Sequence, residues 1–164
     1  MEEWKQIIDY PNYSVNNFGN VRNNKTGRIL KPQSHNSGKY LGVDLGRGNR
    51  KTIHSLVGKT FLEKPDENVE IDHIDLNGCN NHLENLRWVT RSQNQQHKNK
   101  NKNCLSKFKG VTFDKQKNKW KCHLRVNGKN KHIGHFNTEE ECALAYNNYI
   151  KEQNMSFCIP NNLK

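Results

Sequence analysis

Apolar positions along this chain come in short runs, separated by turn residues, and no run is long enough for a large buried sheet or bundle. The first forty-odd residues carry Trp4, Ile7, Ile8, Tyr10 and Tyr13 as isolated anchors. Gly19-Asn20-Val21-Arg22 leads to a turn at Lys25-Thr26-Gly27, and Arg28-Ile29-Leu30-Lys31 follows. That pattern predicts a β-hairpin, stopped by Pro32 because proline cannot donate to a ladder. Residues 39–45 alternate as a strand, and Arg47-Gly48-Asn49 turns it into Arg50-Lys51-Thr52-Ile53.

The next pattern organises the rest. Val69 to Asp75 is a short strand whose apolar run from Ile71 to Ile74 encloses Asp72 and His73. Leu76-Asn77-Gly78-Cys79-Asn80-Asn81 is turn chemistry, rich in residues that tolerate positive φ. Leu86 to Val89 alternates as a second strand. Thr90 with Gln93 three residues on is a capping-box spacing, so a helix should begin there with Asn94 in its first turn.

Beyond residue 106 the pattern changes again. Phe108 to Asp114, Trp120 to Val126 and Lys131 to Phe136 predict three strands, with Lys117-Asn118-Lys119 and Asn127-Gly128 as turns. Thr138 and Glu141 form a second capping-box spacing. Cys142, Ala145, Tyr146 and Tyr149 then fall on one helix face for packing on the sheet. Trp120 is expected in that core.

Composition narrows the partners. Only 32% of the 164 residues are hydrophobic and mean hydropathy is -1.10, which favours small cores over one large one. The formal net charge is +11, which draws polyanions, and nucleic acid is the first candidate. Twelve Lys or Arg lie between Lys98 and Lys131 against the single acid Asp114. In alternating strands this charge falls on the sheet face away from the helix. A basic amphipathic helix, a lipidation motif, a signal peptide and a spanning apolar run are all missing from the pattern, so no membrane is expected. The five cysteines are scattered and form no Cys-x-x-Cys, which argues against a zinc ribbon or disulfide framework and for a reducing, intracellular compartment: the host cytoplasm, or the nucleus of a eukaryotic host. Residues 98–103 alternate Lys and Asn, with no apolar face, and read as a basic tether that can lie along phosphates. The abundance of Asn, and of Lys over Arg, is what an AT-rich genome encodes, so most surface Asn is assigned no role.

Asp72, His73 and Asn94 have the chemistry of phosphodiester cleavage. A carboxylate and an amide oxygen are hard ligands that leave a Mg²⁺ ion open positions for phosphate and water. A neutral histidine beside them can take a proton from that water. The segments Asp72-His73-Ile74-Asp75, Asn80-Asn81 and Asn85 to Thr90 resemble the HNH endonucleases of ββα-metal fold, in the form found in phage homing enzymes. His54-Ser55-Leu56-Val57 with Phe61 resembles the short helix that precedes the motif in that family. The resemblance covers about residues 53–97. It implies that Asp72 and Asn94 bind the metal (Mg²⁺ or Mn²⁺), that His73 is the general base, and that Asn85 ties the loop together. Asn94 stands where a histidine is usual, a substitution found in the nicking homing enzymes.

Two further resemblances flank it. Glu3-Trp4-Lys5, Tyr13-Ser14-Val15, Gly19 to Arg22 and Gly27 to Pro32 resemble the NUMOD4-type module, which implies an accessory DNA-contacting segment. Phe108-Lys109-Gly110-Val111, Lys119-Trp120, Leu124-Arg125, Ile133 to Phe136, Thr138 to Glu140 and Ala143 to Tyr146 resemble an AP2 DNA-binding domain, whose sheet enters the major groove. That implies Lys109, Thr112, His123, Arg125, His132 and His135 as contacts, with Arg87 and Arg91 as further candidates. Thr112 and Asp114 replace usual arginines, so the plant target sequence does not transfer.

The expectation is therefore an α+β chain of small modules. An accessory module spans 1–46, a ββα-metal nuclease 47–97, a basic linker 98–106, and an AP2-like three-stranded antiparallel sheet plus helix 107–164. The expected activity is site-specific, metal-dependent cleavage of double-stranded DNA, leaving 5′-phosphate and 3′-hydroxyl ends. The single Asp-His…Asn set predicts a monomer on an asymmetric site that nicks one strand first. A non-catalytic DNA-binding regulator is the alternative, and it would need neither His73 nor a metal. An RNA-binding protein is a weaker third reading, since stacking aromatics on the sheet face are not evident.

Overall fold

The computed structural model describes residues 1–163 apart from 47, 67, 99–104 and 127. The basic tether at 99–103, Arg47 of the third turn and Asn127 of the last turn thus lie outside the described residues. Contacts divide the chain into two compact units, Met1–Thr90 and Arg91–Lys164.

The first unit begins with β1 (Trp4–Ile7), β2 (Tyr10–Asn16) and β3 (Val21–Asn23), an antiparallel sheet in that order. A second sheet holds β4 (Gln33–His35), β5 (Tyr40–Asp44) and β6 (Arg50–Thr52). Helix α1 (Ile53–Phe61) follows, and β7 (Val69–His73) pairs antiparallel with β8 (Leu86–Thr90). The expected hairpin at 21–31 shrinks to β3 and one bridge, Arg22 to Ile29. Asn23 explains the shortening: its side chain accepts from Lys25 and Thr26 N–H at 3.0 Å each, which turns the chain early. The strands β1, β2 and β4 have too little alternation to be read in the sequence.

One core serves this unit. Ile7, Val15 and Val21 of the first sheet pack with Val43 and Leu45, with Ile53, Leu56 and Val57 of α1, and with Leu86 of β8. The spacing of Ile53, Leu56 and Val57 puts all three on one face of α1, so the helix sits between the accessory strands and the β7–β8 hairpin. Burying each such side chain contributes roughly 1.5–3 kcal/mol. The accessory and nuclease segments therefore share a core across residue 46.

The second unit contains α2 (Arg91–His97), then β9 (Val111–Asp114), β10 (Lys119–Val126) and β11 (Lys129–Phe136), ordered β11-β10-β9 and antiparallel, and α3 (Glu139–Glu152). The three strands and the helix form as the sequence predicts, except that β9 begins at Val111 and not at Phe108, because Gly110 turns the chain with φ +74°. Val126 pairs with Lys129. Thr138 Oγ1 accepts from Glu141 N at 3.1 Å, and the Glu141 carboxylate accepts from Thr138 N, so the second capping box is complete. The buried face of α3 is Cys142, Ala143, Tyr146 and Ile150, rotated from the expected one: Ala145 and Tyr149 are only half-buried. The β10–β11 register shifts by one residue between Cys122 and His123, where Ile133 of β11 is the extra residue of a bulge. Trp120 is half-buried against this core, with Phe113 edge-on at 5.2 Å.

Candidate active site and nucleic-acid interface

The β7–β8 hairpin places the chemistry. Antiparallel register sets Asp72 opposite Arg87 and His73 opposite Leu86 at the end where the connecting loop begins. Asp72 is 8% exposed, and its Oδ2 accepts from Arg87 Nε at 3.2 Å and Nη2 at 3.1 Å. Arg87, a candidate DNA contact from sequence, is thus engaged beside the candidate metal ligand.

The loop is closed by Asn85. Its Nδ2 donates to Asp75 Oδ1 at 2.9 Å and to the Asn80 carbonyl at 2.8 Å, and its Oδ1 accepts from Asp75 N at 3.0 Å. Asn80 Nδ2 adds a bond to the other Asp75 oxygen at 2.8 Å. Asn85 stands in a 3₁₀ turn, Leu83–Asn85, directly before β8. The side-chain-to-backbone tie that the resemblance implied for Asn85 is present.

Three residues that sequence reasoning left without a role surround His73. Asn81, itself buried, donates through Nδ2 to the Cys79 carbonyl at 3.1 Å, so its Oδ1 faces His73 Nε2 at 3.3 Å. This orientation makes Nε2 the proton donor and leaves Nδ1 as the basic nitrogen. The Tyr40 ring stacks on His73 at 6.0 Å, and His54 meets it edge-on at 4.9 Å. Burial lowers the His73 pKa, an effect the Asn81 bond and the carboxylates of Asp75 and Asp72 oppose. Burial and the neighbouring His73 and His35 push His54 down to about 4. The contacts of Tyr40 and His54 with His73 carry no local signal in the sequence, because the two residues come from β5 and α1, although His54 lies in the helix that the resemblance marked.

Gly78 shows how closely loop and strand meet. A Cβ there would lie 2.1 Å from the Lys39 carbonyl and 2.7 Å from the Tyr40 ring, so no other residue fits without moving β5.

Asn94 lies in α2, hence in the second unit, together with Arg91, which is exposed. On the sheet of that unit, Cys122 and Leu124 face the core while Lys121, His123 and Arg125 alternate to the other side. Thr112 and His135 flank Lys121, and His132 pairs with His123. The His132 and His135 rings are 4.6 Å apart. His135 Nε2 also meets Asp114 Oδ2 at 3.1 Å. Lys109 departs from this basic face. It is half-buried, and its ammonium donates to the carbonyls of Gln96 and Lys98.

Residues 2–46 match the NUMOD4 motif and residues 53–96 match an HNH endonuclease model. The DNA endonuclease I-HmuI of Bacillus phage SP01 is 40% identical over 98 residues, 56% of this chain and 55% of that protein. An uncharacterized HNH endonuclease of Acanthamoeba polyphaga mimivirus, L245, is 34% identical over 98 residues, 58% of this chain and 29% of its own length. A solved structure of the HNH homing endonuclease I-HmuI, described for DNA binding and cleavage, aligns with a TM-score of 0.52 at 39% identity, covering 57% of this chain and 55% of that one. The chain thus spans about half or less of the length of these relatives. With the hairpin, its Asn85-closed loop and these matches together, the chain carries an HNH endonuclease segment preceded by a NUMOD4 motif and is homologous to the phage and viral HNH homing endonucleases.

Proposed function

We propose that the protein is a homing-type DNA endonuclease that hydrolyses a phosphodiester bond with a divalent metal, nicking one strand of double-stranded DNA first. The observation that carries this is the adjacency of Asp72 and His73 at the end of β7, over a loop tied by Asn85. A structural hairpin needs no buried histidine with an oriented basic nitrogen.

The donor chemistry fits a hard cation. Among the described residues, no three or more His, Cys, Asp or Glu side chains form a metal-holding group. The Asp72 carboxylate is a hard ligand, which suits Mg²⁺ or Mn²⁺ completed by phosphate and water. Asp72 would hold the ion, with Asn94 the second ligand that the resemblance implies. When bound, it would stabilise the charge that builds on the leaving 3′ oxygen. Arg87 orients the Asp72 carboxylate through two N–H donors on one oxygen. His73 takes the water proton at Nδ1, with Asn81 fixing the tautomer. Products would carry 5′-phosphate and 3′-hydroxyl ends.

The AP2-like sheet would read DNA through Thr112, Lys121, His123, Arg125, His132 and His135, and the NUMOD4 segment would add contacts. With one such set per chain, the protein would act as a monomer on an asymmetric site. The test is incubation with source genomic DNA and Mg²⁺, followed by strand-resolved mapping of breaks. Metal-dependent nicks at a defined position support the proposal. Undiminished cleavage in excess EDTA, or none in any divalent ion, overturns it.

A further inference from the structure

We infer that Lys109 is a positioning residue that clamps helix α2, and with it Asn94, onto the AP2-like sheet, instead of a residue that touches DNA. This rests on the nuclease reading of Asn94.

The clamp is built from both ends. On one side, the Lys109 ammonium donates to the Gln96 carbonyl and, at 2.8 Å, to the Lys98 carbonyl. These are carbonyls of the last turn of α2 and just beyond it, where the helix has no further N–H to offer. A cation there also meets the negative end of the helix dipole. Gln96 Nε2 donates back to the Arg125 carbonyl of β10 at 3.1 Å, so the same turn is held at a second point on the sheet.

On the other side, the backbone of Lys109 is itself fixed. Its N–H donates to Asn161 Oδ1, and Asn161 Nδ2 donates to its carbonyl at 3.1 Å. Asn161 is gripped in turn by Asn147 of α3, through bonds of 2.7 and 2.8 Å. The following residue, Gly110, has φ +74°, and a Cβ there would lie 2.5 Å from the His123 carbonyl and 2.6 Å from the Tyr146 ring. Gly110 therefore lets the chain before β9 press against the sheet, which brings Lys109 under α2. The ammonium is desolvated, and burial lowers its pKa. A lysine reaching for phosphate would instead sit in water, as Lys121 does on the sheet face.

A seven-residue helix is too short to hold its own geometry. Asn94 lies two residues before Gln96, so the clamp that fixes the last turn also fixes the ligand. The support for Asn94 thus lies wholly within the second unit. Residues that support metal ligands typically change metal affinity by roughly 10- to 100-fold when removed.

The experiment compares full-length wild type with Lys109→Met, Lys109→Arg and Gln96→Ala. Three quantities are read: Mn²⁺ binding by electron paramagnetic resonance with duplex DNA present, hydrogen exchange of α2 amides, and DNA affinity across a salt series without metal. Lys109→Met should weaken Mn²⁺ binding by roughly 10-fold or more, speed α2 exchange and leave the salt slope of DNA binding unchanged. Lys109→Arg, which keeps the donors, should restore most of the loss. Gln96→Ala should move the same readouts the same way by less, and decides the matter if Lys109→Met does not fold. A Lys109→Met or Gln96→Ala protein with wild-type Mn²⁺ affinity and α2 exchange overturns the clamp, as does a Lys109→Met whose only defect is a salt slope reduced by about 0.9. Failure of the wild type to bind Mn²⁺ even with DNA removes the nuclease reading itself.

Discussion

Asn85 and Asp75 hold each other from both directions: the amide of Asn85 donates to the Asp75 carboxylate at 2.9 Å, and the Asp75 N–H donates to the Asn85 oxygen at 3.0 Å. Nine residues of loop hang between them. Asn85→Ala should remove three hydrogen bonds at once, leave the Asn80 carbonyl without this donor, and destabilise the first unit by about 1–3 kcal/mol. Urea denaturation measures the loss. Cleavage should fall with it even under conditions where the mutant remains folded, because the loop aims Asn81 at His73.

The base assignment gives a sharper kinetic expectation. His73→Ala should lower cleavage by roughly 10²- to 10⁴-fold while DNA affinity, read by gel shift without metal, stays nearly unchanged. Equal turnover of mutant and wild type would end this role for His73.

The acid limb of the pH–rate profile follows from the same histidine. The base must be neutral, and burial lowers its pKa, so the limb should fall below the ordinary 6.5. Asn81→Asp puts a carboxylate against Nε2–H, favours the imidazolium, and should move the limb to higher pH. A limb unmoved by this change would place the titrating group elsewhere.

His54 predicts a stability effect in the same range. Its folded pKa of about 4 lies below its ordinary 6.5, so the unfolded chain binds the proton more readily. Stability is full above pH 6.5 and is lost as pH falls toward 4, by on the order of 3 kcal/mol. Thermal melts of His54→Gln should show a shallower acid loss across that window.

On the sheet, Lys121 is an exposed lysine at the centre of the outer face. Lys121→Glu should weaken binding across all sequences and reduce the salt slope by at least about 0.9. A slope equal to wild type would place DNA away from this face.

The sequence made some parts of this molecule legible and hid others. Asp72, His73 and Asn85 stood out because the chemistry lies within one strand–loop–strand stretch. The Thr138–Glu141 cap and the β10–β11 hairpin were local signals too, and both formed. The packing of Tyr40 and His54 on His73 was not legible, although His54 lies in the helix that the resemblance marked, because both reach His73 only through tertiary packing. Strands β1 and β2 were lost because Lys5, Gln6, Pro11 and Asn12 dilute their alternation. Lys109 read as a DNA contact by its place in the AP2 resemblance; only the carbonyls around its ammonium set it apart from the exposed Lys121.

The packing of Gly78 on Lys39 and Tyr40, and the core that joins Ile7 and Val15 to Leu86, bear on how such genes recombine. A crossover between residues 46 and 53 would splice a new accessory segment onto this hairpin. The hybrid would inherit a histidine whose aromatic neighbour and whose loop's resting surface belong to another lineage. Successful exchanges should therefore carry residues 1–90 as one heritable block, or keep a tyrosine at position 40 and a glycine at 78. Shuffled libraries scored for nicking would reveal this as a linkage between those two positions.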